Sequence, residues 1–314
     1  MTDIAVIIPC YNEEKSIIPT IQSLTRELVV FDRSITNLYP KTWCIYVYDN
    51  NSMDNTVGVV EAFLSSDEGR CFRGRVKIKH CPLQGKGYVI RQAFAELDAS
   101  VYVMIDGDFT YDTKKLYFMI SWILDKQLDM VTGDRLSLSY FIQNKRPFHN
   151  MGNRVVTSTV NLLFDSEYHD VLSGFRAFSR RYAKTFCISS GGFTLETELS
   201  IHAVVHHLPT TDIIIDYKDR AADNPSKLRT LPDGAKILAK LFYLFAVHRP
   251  LIFYTVISAL FGIFGFLFLD SRWSAVLIGA SLFSLFTGLL QEGGQFRQRQ
   301  NFECRLQDFT EKTD

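Results

Sequence analysis

Residues Val101 to Asp108 read Val-Tyr-Val-Met-Ile-Asp-Gly-Asp, an apolar run that ends in two carboxylates separated by one glycine. Side chains in a strand alternate faces, so Asp106 and Asp108 can point the same way once the strand ends, while Gly107 lets a ligand approach the backbone. Two hard oxygen donors suit a divalent cation that is also held by phosphates, as Mg²⁺ or Mn²⁺ is. The same residues are also ordinary choices for a turn after a strand. Two further strand ends carry polar groups: Pro9-Cys10-Tyr11-Asn12-Glu13 and Asp49-Asn50-Asn51-Ser52. Gly85-Lys86-Gly87 follows a strand and opens a helix, where backbone N–H groups and a lysine can meet a phosphate or ribose. The long P-loop spacing and the Gly-x-Gly-x-x-Gly dinucleotide signature are both absent.

The elements that must position these residues show as alternation. Strands are expected at Ile4 to Ile8, Cys44 to Tyr48, Val76 to Lys79, Val101 to Ile105 and Met130 to Thr132. Helices are expected at Glu14 to Val30, Asp54 to Leu64, Tyr88 to Leu97 and Thr113 to Leu124. Such alternation implies an α/β fold, a mostly parallel Rossmann-like sheet flanked by helices, with its ligand site at the carboxyl ends of the strands. Beyond Asp134-Arg135 the rhythm weakens. Asn150 to Phe164 reads as a helix with Met151, Val155 and Leu162 on one side, a face suited to lie near a membrane. Asp170 to Arg176 reads as a polar turn, Phe193 to Glu198 as the entry to another helix, and Lys218 to Arg229, with Pro225, as a polar loop.

The chain has 314 residues, 47% of them hydrophobic, enough for a sizeable core. Its formal net charge is zero, so no overall field draws in nucleic acid. Cys10, Cys44, Cys71, Cys81, Cys187 and Cys304 lack Cys-x-x-Cys spacing, which fits a reducing compartment and small core-filling roles. His149, His202, His206 and His207 have no spacing that makes a metal set. The N-terminus has no secretory leader pattern.

Hydrophobicity peaks near the end. Leu251 to Leu269 and Trp273 to Leu290 are uncharged runs of a length that matches a hydrocarbon core of about 30 Å. They read as a two-helix transmembrane hairpin; buried helices of a soluble core are the alternative. Lys236, Lys240 and Arg249 precede the pair and Arg297 and Arg299 follow it, against one arginine in the turn, which places both ends in the cytoplasm. Ile237, Leu238, Leu241, Phe242 and Phe245 recur at helical spacing just before the first span, as an amphipathic juxtamembrane helix would. The expected organisation is a cytoplasmic catalytic domain over 1–230, an interfacial helix over 231–249, two transmembrane helices over 250–291 and a cytoplasmic tail over 292–314.

As an ordered set, Val6-Ile7-Ile8-Pro9-Cys10-Tyr11-Asn12-Glu13-Glu14, Asp49 to Ser52, Gly85 to Gly87, Asp106 to Asp108, Gly133-Asp134-Arg135, Ser173-Gly174-Phe175-Arg176 and Ser226-Lys227 are informative. The chain resembles family 2 glycosyltransferases of the GT-A fold, in particular the dolichyl-phosphate mannose synthase and bacterial polyprenyl-phosphate glycosyltransferase branch. The resemblance implies that Pro9, Tyr11, Glu13 and Asp49, with Asn51 and Lys86, line a nucleotide-sugar pocket for a UDP- or GDP-linked donor. It implies that Asp106 and Asp108 bind the metal, and that Arg135 and Arg176 meet the lipid phosphate or the diphosphate. Ser226 and Lys227 fall in a loop that closes over the acceptor, and Asp170 matches a position considered catalytic in some relatives. From the residues themselves, Asp170 reads as an orienting group or a helix cap, and Glu196 and Glu198 as acceptor-site, solvated or helix-capping residues. Relatives usually carry a second acidic residue after the Asp of the second strand; here Asn50 replaces it.

The expected activity is inverting, metal-assisted hexosyl transfer to polyprenyl phosphate (undecaprenyl or dolichyl) by a membrane-anchored enzyme on the inner face of the cell membrane. A homo-oligomer is compatible with the sequence. The alternatives are another lipid or glycan acceptor, or a non-catalytic nucleotide-sugar-binding membrane subunit. Processive synthases carry Gln-x-x-Arg-Trp, and Trp43, Trp122 and Trp273 lack that context.

Overall fold

The computed structural model describes residues 2–32, 42–135, 147–187, 194–218, 230–267 and 273–310. Ser226 and Lys227 lie outside the described residues. Two compact units are present, Met1–Ile237 and Leu238–Asp314.

The first unit is built on a seven-stranded sheet: β1 (Thr2–Cys10), β2 (Trp43–Asp49), β3 (Val76–His80), β4 (Ala99–Met104), β5 (Met130–Asp134), β6 (Arg176–Ser179) and β7 (Thr210–Ile214). Their order across the sheet is β3-β2-β1-β4-β6-β5-β7. All neighbours run parallel except β6, which is antiparallel to both β4 and β5. Ile4 to Ile8 on β1 and all of β2 are buried on both faces, the continuous apolar pattern of a strand covered by helices on either side. The covering helices are α1 (Ile17–Asp32), α2 (Thr56–Ser65), α3 (Lys86–Glu96), α4 (Leu116–Asp125), α5 (Pro147–Phe164), α6 (Arg180–Thr185) and α7 (Leu195–Val205).

Because β6 is reversed, the segment that enters it and the segments that leave β1, β2, β4, β5 and β7 all emerge at one edge of the sheet. That edge is where the chemistry-bearing residues converge. The five expected strands form with ends shifted by one or two residues. The strands β6 and β7 and the short α6 were not expected: β6 is only four residues long, and its Arg176 reads as part of a polar turn. On α5 the stripe Met151, Val155 and Leu162 is exposed, while Val156, Val160 and Phe164 form the buried face. Core filling holds for Cys10, Cys44 and Cys81 but not for Cys71, Cys187 and Cys304, which are exposed.

The second unit contains most of α8 (Thr230–His248) together with α9 (Pro250–Leu267) and α10 (Ser274–Thr310). On α8, Leu241, Leu244 and Phe245 are buried and Phe242 and Tyr243 are exposed. α9 has a mean hydropathy of 2.0 and an 18-residue window within Ser274–Leu306 of α10 reaches 1.6, long and apolar enough to cross a membrane. They pack through small residues: Ser281 donates to the Ser258 carbonyl (2.8 Å), Ser284 to the Tyr254 carbonyl (3.2 Å) and Ser274 to the Gly265 carbonyl (3.0 Å). The residues expected as a tail continue α10 without a break to Thr310.

Candidate active site

Backbone pairing at the sheet edge brings the polar strand ends together. Asn50 N–H donates to the Cys10 carbonyl (2.8 Å) and Cys81 N–H to the Asp49 carbonyl (2.9 Å). Asn12 and Asn51 adopt left-handed backbone, φ 54° and 63°, a conformation that asparagine tolerates. The loops are cross-tied: Asn12 N–H donates to Ser52 Oγ (3.1 Å), Met53 N–H to Asn12 Oδ1 (2.7 Å) and Glu13 N–H to Thr56 Oγ1 (2.9 Å). Glu13 is buried and its carboxylate accepts from Ser16 Oγ at the start of α1 (2.8 Å). Asp49 accepts from Ser52 N–H (3.1 Å) and lies 3.3 Å from His80 Nδ1.

Asn50 has a structural task that an acid could not perform. Its Nδ2 donates to the carbonyls of Cys81 (3.2 Å) and Leu83 (2.7 Å), while Oδ1 accepts from Gly85 N–H (2.6 Å). The amide supplies donors and an acceptor together, whereas an ionised carboxylate only accepts. Asn50 thereby fixes the turn at Gly85, whose φ of 138° requires glycine, and presents Lys86 at the first position of α3.

Lys86 Nζ stands between two carboxylates, 2.5 Å from Asp106 Oδ1 and 2.7 Å from Glu196 Oε1 on α7. Burial works against its charge, but Asp106 and Glu196 outweigh that and raise its pKa, so the ammonium is retained. A Cβ on Gly174 would stand 2.8 Å from Lys86 Nζ and 3.0 Å from Asp106 Cγ, so the absence of a side chain there makes room for this pair. Asp108 is 7% exposed, and its Oδ1 accepts from Thr110 N–H (3.2 Å) and Thr110 Oγ1 (2.6 Å), which orients the carboxylate.

The other expected charges are paired or enclosed. Arg135 donates from Nε and Nη2 to Asp170 Oδ2 and Oδ1 (2.7 and 2.9 Å) and also from its backbone N–H. Burial opposes its charge, but Asp170 holds its pKa well above the ordinary value. Its guanidinium lies over the Tyr217 ring at 5.4 Å. Burial pushes the Tyr111 hydroxyl well above its usual range; the group stays protonated and accepts from Gly174 N–H (2.8 Å). Asp170 is the partner that holds Arg135, and among the described residues no helix begins behind it for its side chain to cap.

Arg176 requires a correction. With no exposed surface, it donates to the carbonyls of Val171 (2.6 Å) and Ser173 (2.9 Å) and to Ser200 Oγ (3.0 Å). It braces the 171–174 turn from behind, and a guanidinium enclosed in this way has no face toward an acceptor phosphate. Glu196, read from sequence as solvated or acceptor-lining, is instead the second partner of Lys86. The signal for that contact is missing from local sequence, because the two residues lie 110 positions apart.

Among the described residues, no three acidic, His or Cys side chains converge as a metal-ligand set. Asp106 and Asp108 offer two hard oxygen-bearing groups, which fits a cation that takes its remaining ligands from phosphate and water.

A sheet that gathers two aspartates and a partly buried lysine at its carboxyl edge suits a phosphate-bearing ligand. Comparison with known proteins agrees: the model of Glycosyl transferase family 2 matches residues 5–186, and the chain belongs to that family. Protein RfbJ of Shigella flexneri is 42% identical over 133 residues, covering 42% of this chain and 85% of that protein. Glycosyltransferase AglJ of Haloferax volcanii is 26% identical over 260 residues, covering 80% of this chain and 75% of that protein. Among solved structures, glucosyl-3-phosphoglycerate synthase from Mycobacterium tuberculosis with Mn²⁺, UDP and phosphoglyceric acid aligns at a TM-score of 0.57. It is 16% identical and covers 78% of each chain, a likeness of the GT-A fold.

Proposed function

We propose that this transferase moves a hexose from a UDP- or GDP-sugar to a polyprenyl phosphate, with inversion, at the cytoplasmic face of the cell membrane. The observation that carries this reading is the presence in one chain of the Lys86-Asp106-Glu196 cluster beside Asp108 and of two helices apolar enough to span a bilayer. Asp106 and Asp108 would hold Mg²⁺ or Mn²⁺, which supplies charge neutralisation for the departing nucleoside diphosphate. The solved neighbour that carries Mn²⁺ and UDP lends support to that choice.

The chain's own residues account for the rest. Pro9, Tyr11, Glu13, Asp49 and Asn51 line the nucleotide side. Lys86 can turn from Asp106 toward a phosphoryl oxygen while Glu196 keeps hold of it. Transfer forms a bond between an acceptor phosphate oxygen and the anomeric carbon and breaks the bond to the diphosphate oxygen; displacement from the opposite side inverts the centre. A phosphate monoester has its second pKa near about 6, so the nucleophile is already anionic and needs no general base. Asp170 is thus left to orient Arg135, which we assign, with Ser226 and Lys227, to the acceptor phosphate.

The test is purified protein with Mn²⁺ or Mg²⁺, undecaprenyl or dolichyl phosphate, and a panel of radiolabelled UDP- and GDP-sugars. Label should enter the organic phase, and Asp108→Ala should abolish this while retaining the wild-type circular dichroism spectrum. Label that never becomes lipid-soluble with any donor sinks the acceptor assignment, and transfer undiminished in Asp108→Ala sinks the site.

A further inference from the structure

One residue beside the aspartates has a conformation that folding does not ask for. Phe109 follows Asp108 directly, adopts left-handed backbone with φ 58°, and is 40% exposed. Bulky residues rarely occupy that region, and glycine or asparagine would do so without strain. The flanking segments form a short antiparallel ribbon: Asp112 N–H donates to the Asp216 carbonyl (3.0 Å), Lys218 N–H to the Thr110 carbonyl (2.8 Å), and Tyr111 pairs with Tyr217. Regular alternation would put residue 109 on the same face as buried Tyr111. The left-handed kink instead leaves the ring partly exposed, with Lys218 Nζ 5.5 Å from its centre.

A strained backbone and a large apolar side chain in water both disfavour the folded state, and their combination next to the reacting centre points to a role in binding. The pair presents an apolar plate flanked by an ammonium. Within one residue of Asp108, the ligand that needs both is the acceptor, a phosphate joined to a hydrocarbon. The sugar of the donor would use the plate, but its diphosphate would already be met by Lys86 and the cation at Asp106 and Asp108, which leaves Lys218 for a second phosphate.

We propose that Phe109 and Lys218 form the acceptor contact, with Phe109 packing on the first isoprene units and Lys218 facing the phosphate they carry. The assignment rests on the polyprenyl phosphate reading above and adds to it the residues that recognise the lipid end. Phe109 is a specificity determinant for chain over head group: a lipid with no hydrocarbon beyond its phosphate gains nothing from it.

The full chain in detergent is compared with Phe109→Gly and Lys218→Met, using undecaprenyl phosphate, the short-chain farnesyl phosphate, and whichever UDP- or GDP-sugar supports transfer. Phe109→Gly removes both the strain and the exposed ring, so its melting temperature should rise. Its KM for both lipid phosphates should rise by about tenfold, the loss of one good apolar contact, with the affinity for the nucleoside diphosphate unchanged. Lys218→Met should raise the same KM while leaving the melting temperature in place. A Phe109→Gly protein with an unaltered lipid KM overturns the proposal, and so does one whose donor KM changes instead, which would make the ring a sugar platform. Wild-type protein that transfers to neither lipid phosphate refutes the acceptor reading itself, a result distinct from either of these.

Discussion

Gly174→Ala isolates the role of the Lys86-Asp106 pair. The added methyl would come 2.8 Å from Lys86 Nζ and 3.0 Å from Asp106 Cγ, where ordinary contact begins at 3.4 Å. The backbone cannot give way, because Gly174 N–H is bound to Tyr111 and Arg176 clamps the carbonyls on either side of Leu172. The charged tips must move instead. Stretching a 2.5 Å ion pair by most of an ångström at an effective dielectric of about 20 removes roughly 1.5 kcal/mol of attraction. For a unit of this size that is a fall of about 3 to 6 °C in melting temperature. Activity should fall much further, since displacing a positioned group by about 1 Å costs up to about 10²-fold. The assay is kcat/KM for sugar transfer beside a thermal melt. The control is Gly152→Ala on α5, where a Cβ meets nothing within 4 Å and helix propensity favours alanine. Gly174→Ala with activity within threefold of wild type would show that the site does not depend on this pair.

Asn50→Asp sets a carboxylate against the Cys81 and Leu83 carbonyls. It should cost about 1 to 3 kcal/mol and raise the donor KM; a stable variant with normal donor KM refutes the brace. Asp212 on β7 is raised above its ordinary pKa by burial, against opposing pulls from the His169 N–H and Arg176. The folded state then binds its proton more tightly than the unfolded one, so its contribution to stability falls as pH climbs from about 3.8 through the folded value. Asp212→Asn should therefore gain melting temperature relative to wild type between acidic and neutral pH, and a pH-independent difference disproves the assignment. In the hairpin, Ser281→Ala removes a bond worth about 0.6 kcal/mol, whereas Ser281→Leu must also force α9 and α10 apart at Gly262. Equal unfolding midpoints in detergent for the two variants would contradict the close packing.

The parallel half of the sheet is legible because β1, β2 and β4 are built on apolar runs between helical periods and β3 alternates Val76 and Ile78 with lysines, and because polar strand ends name the ligand edge before any coordinates exist. β6 and β7 were not legible. Four residues beginning with a buried arginine, and Thr-Thr-Asp-Ile-Ile with every side chain partly exposed or exposed, lack the apolar run that marks a buried strand. The hairpin was visible in composition alone, but not the length of α10: the charged residues after Leu290 resemble a tail until a helix is seen to carry them.

Partner choice accounts for what the sequence misassigned at the site. Arg135 and Arg176 are the same residue type, near the same edge, and both suit a phosphate. What separates them is contact across 35 and 24 positions: Arg135 meets Asp170, whereas Arg176 meets Ser200 and loop carbonyls. On the proposed reading the site takes two anionic substrates in turn and must also survive empty, where enclosed cations without carboxylates would destabilise it. Lys86 and Arg135 therefore come with acids already in place, Asp106 and Glu196 for one and Asp170 for the other. The acids that looked like reagents in the sequence are, in good part, the counter-charges that let the basic residues wait in a buried site.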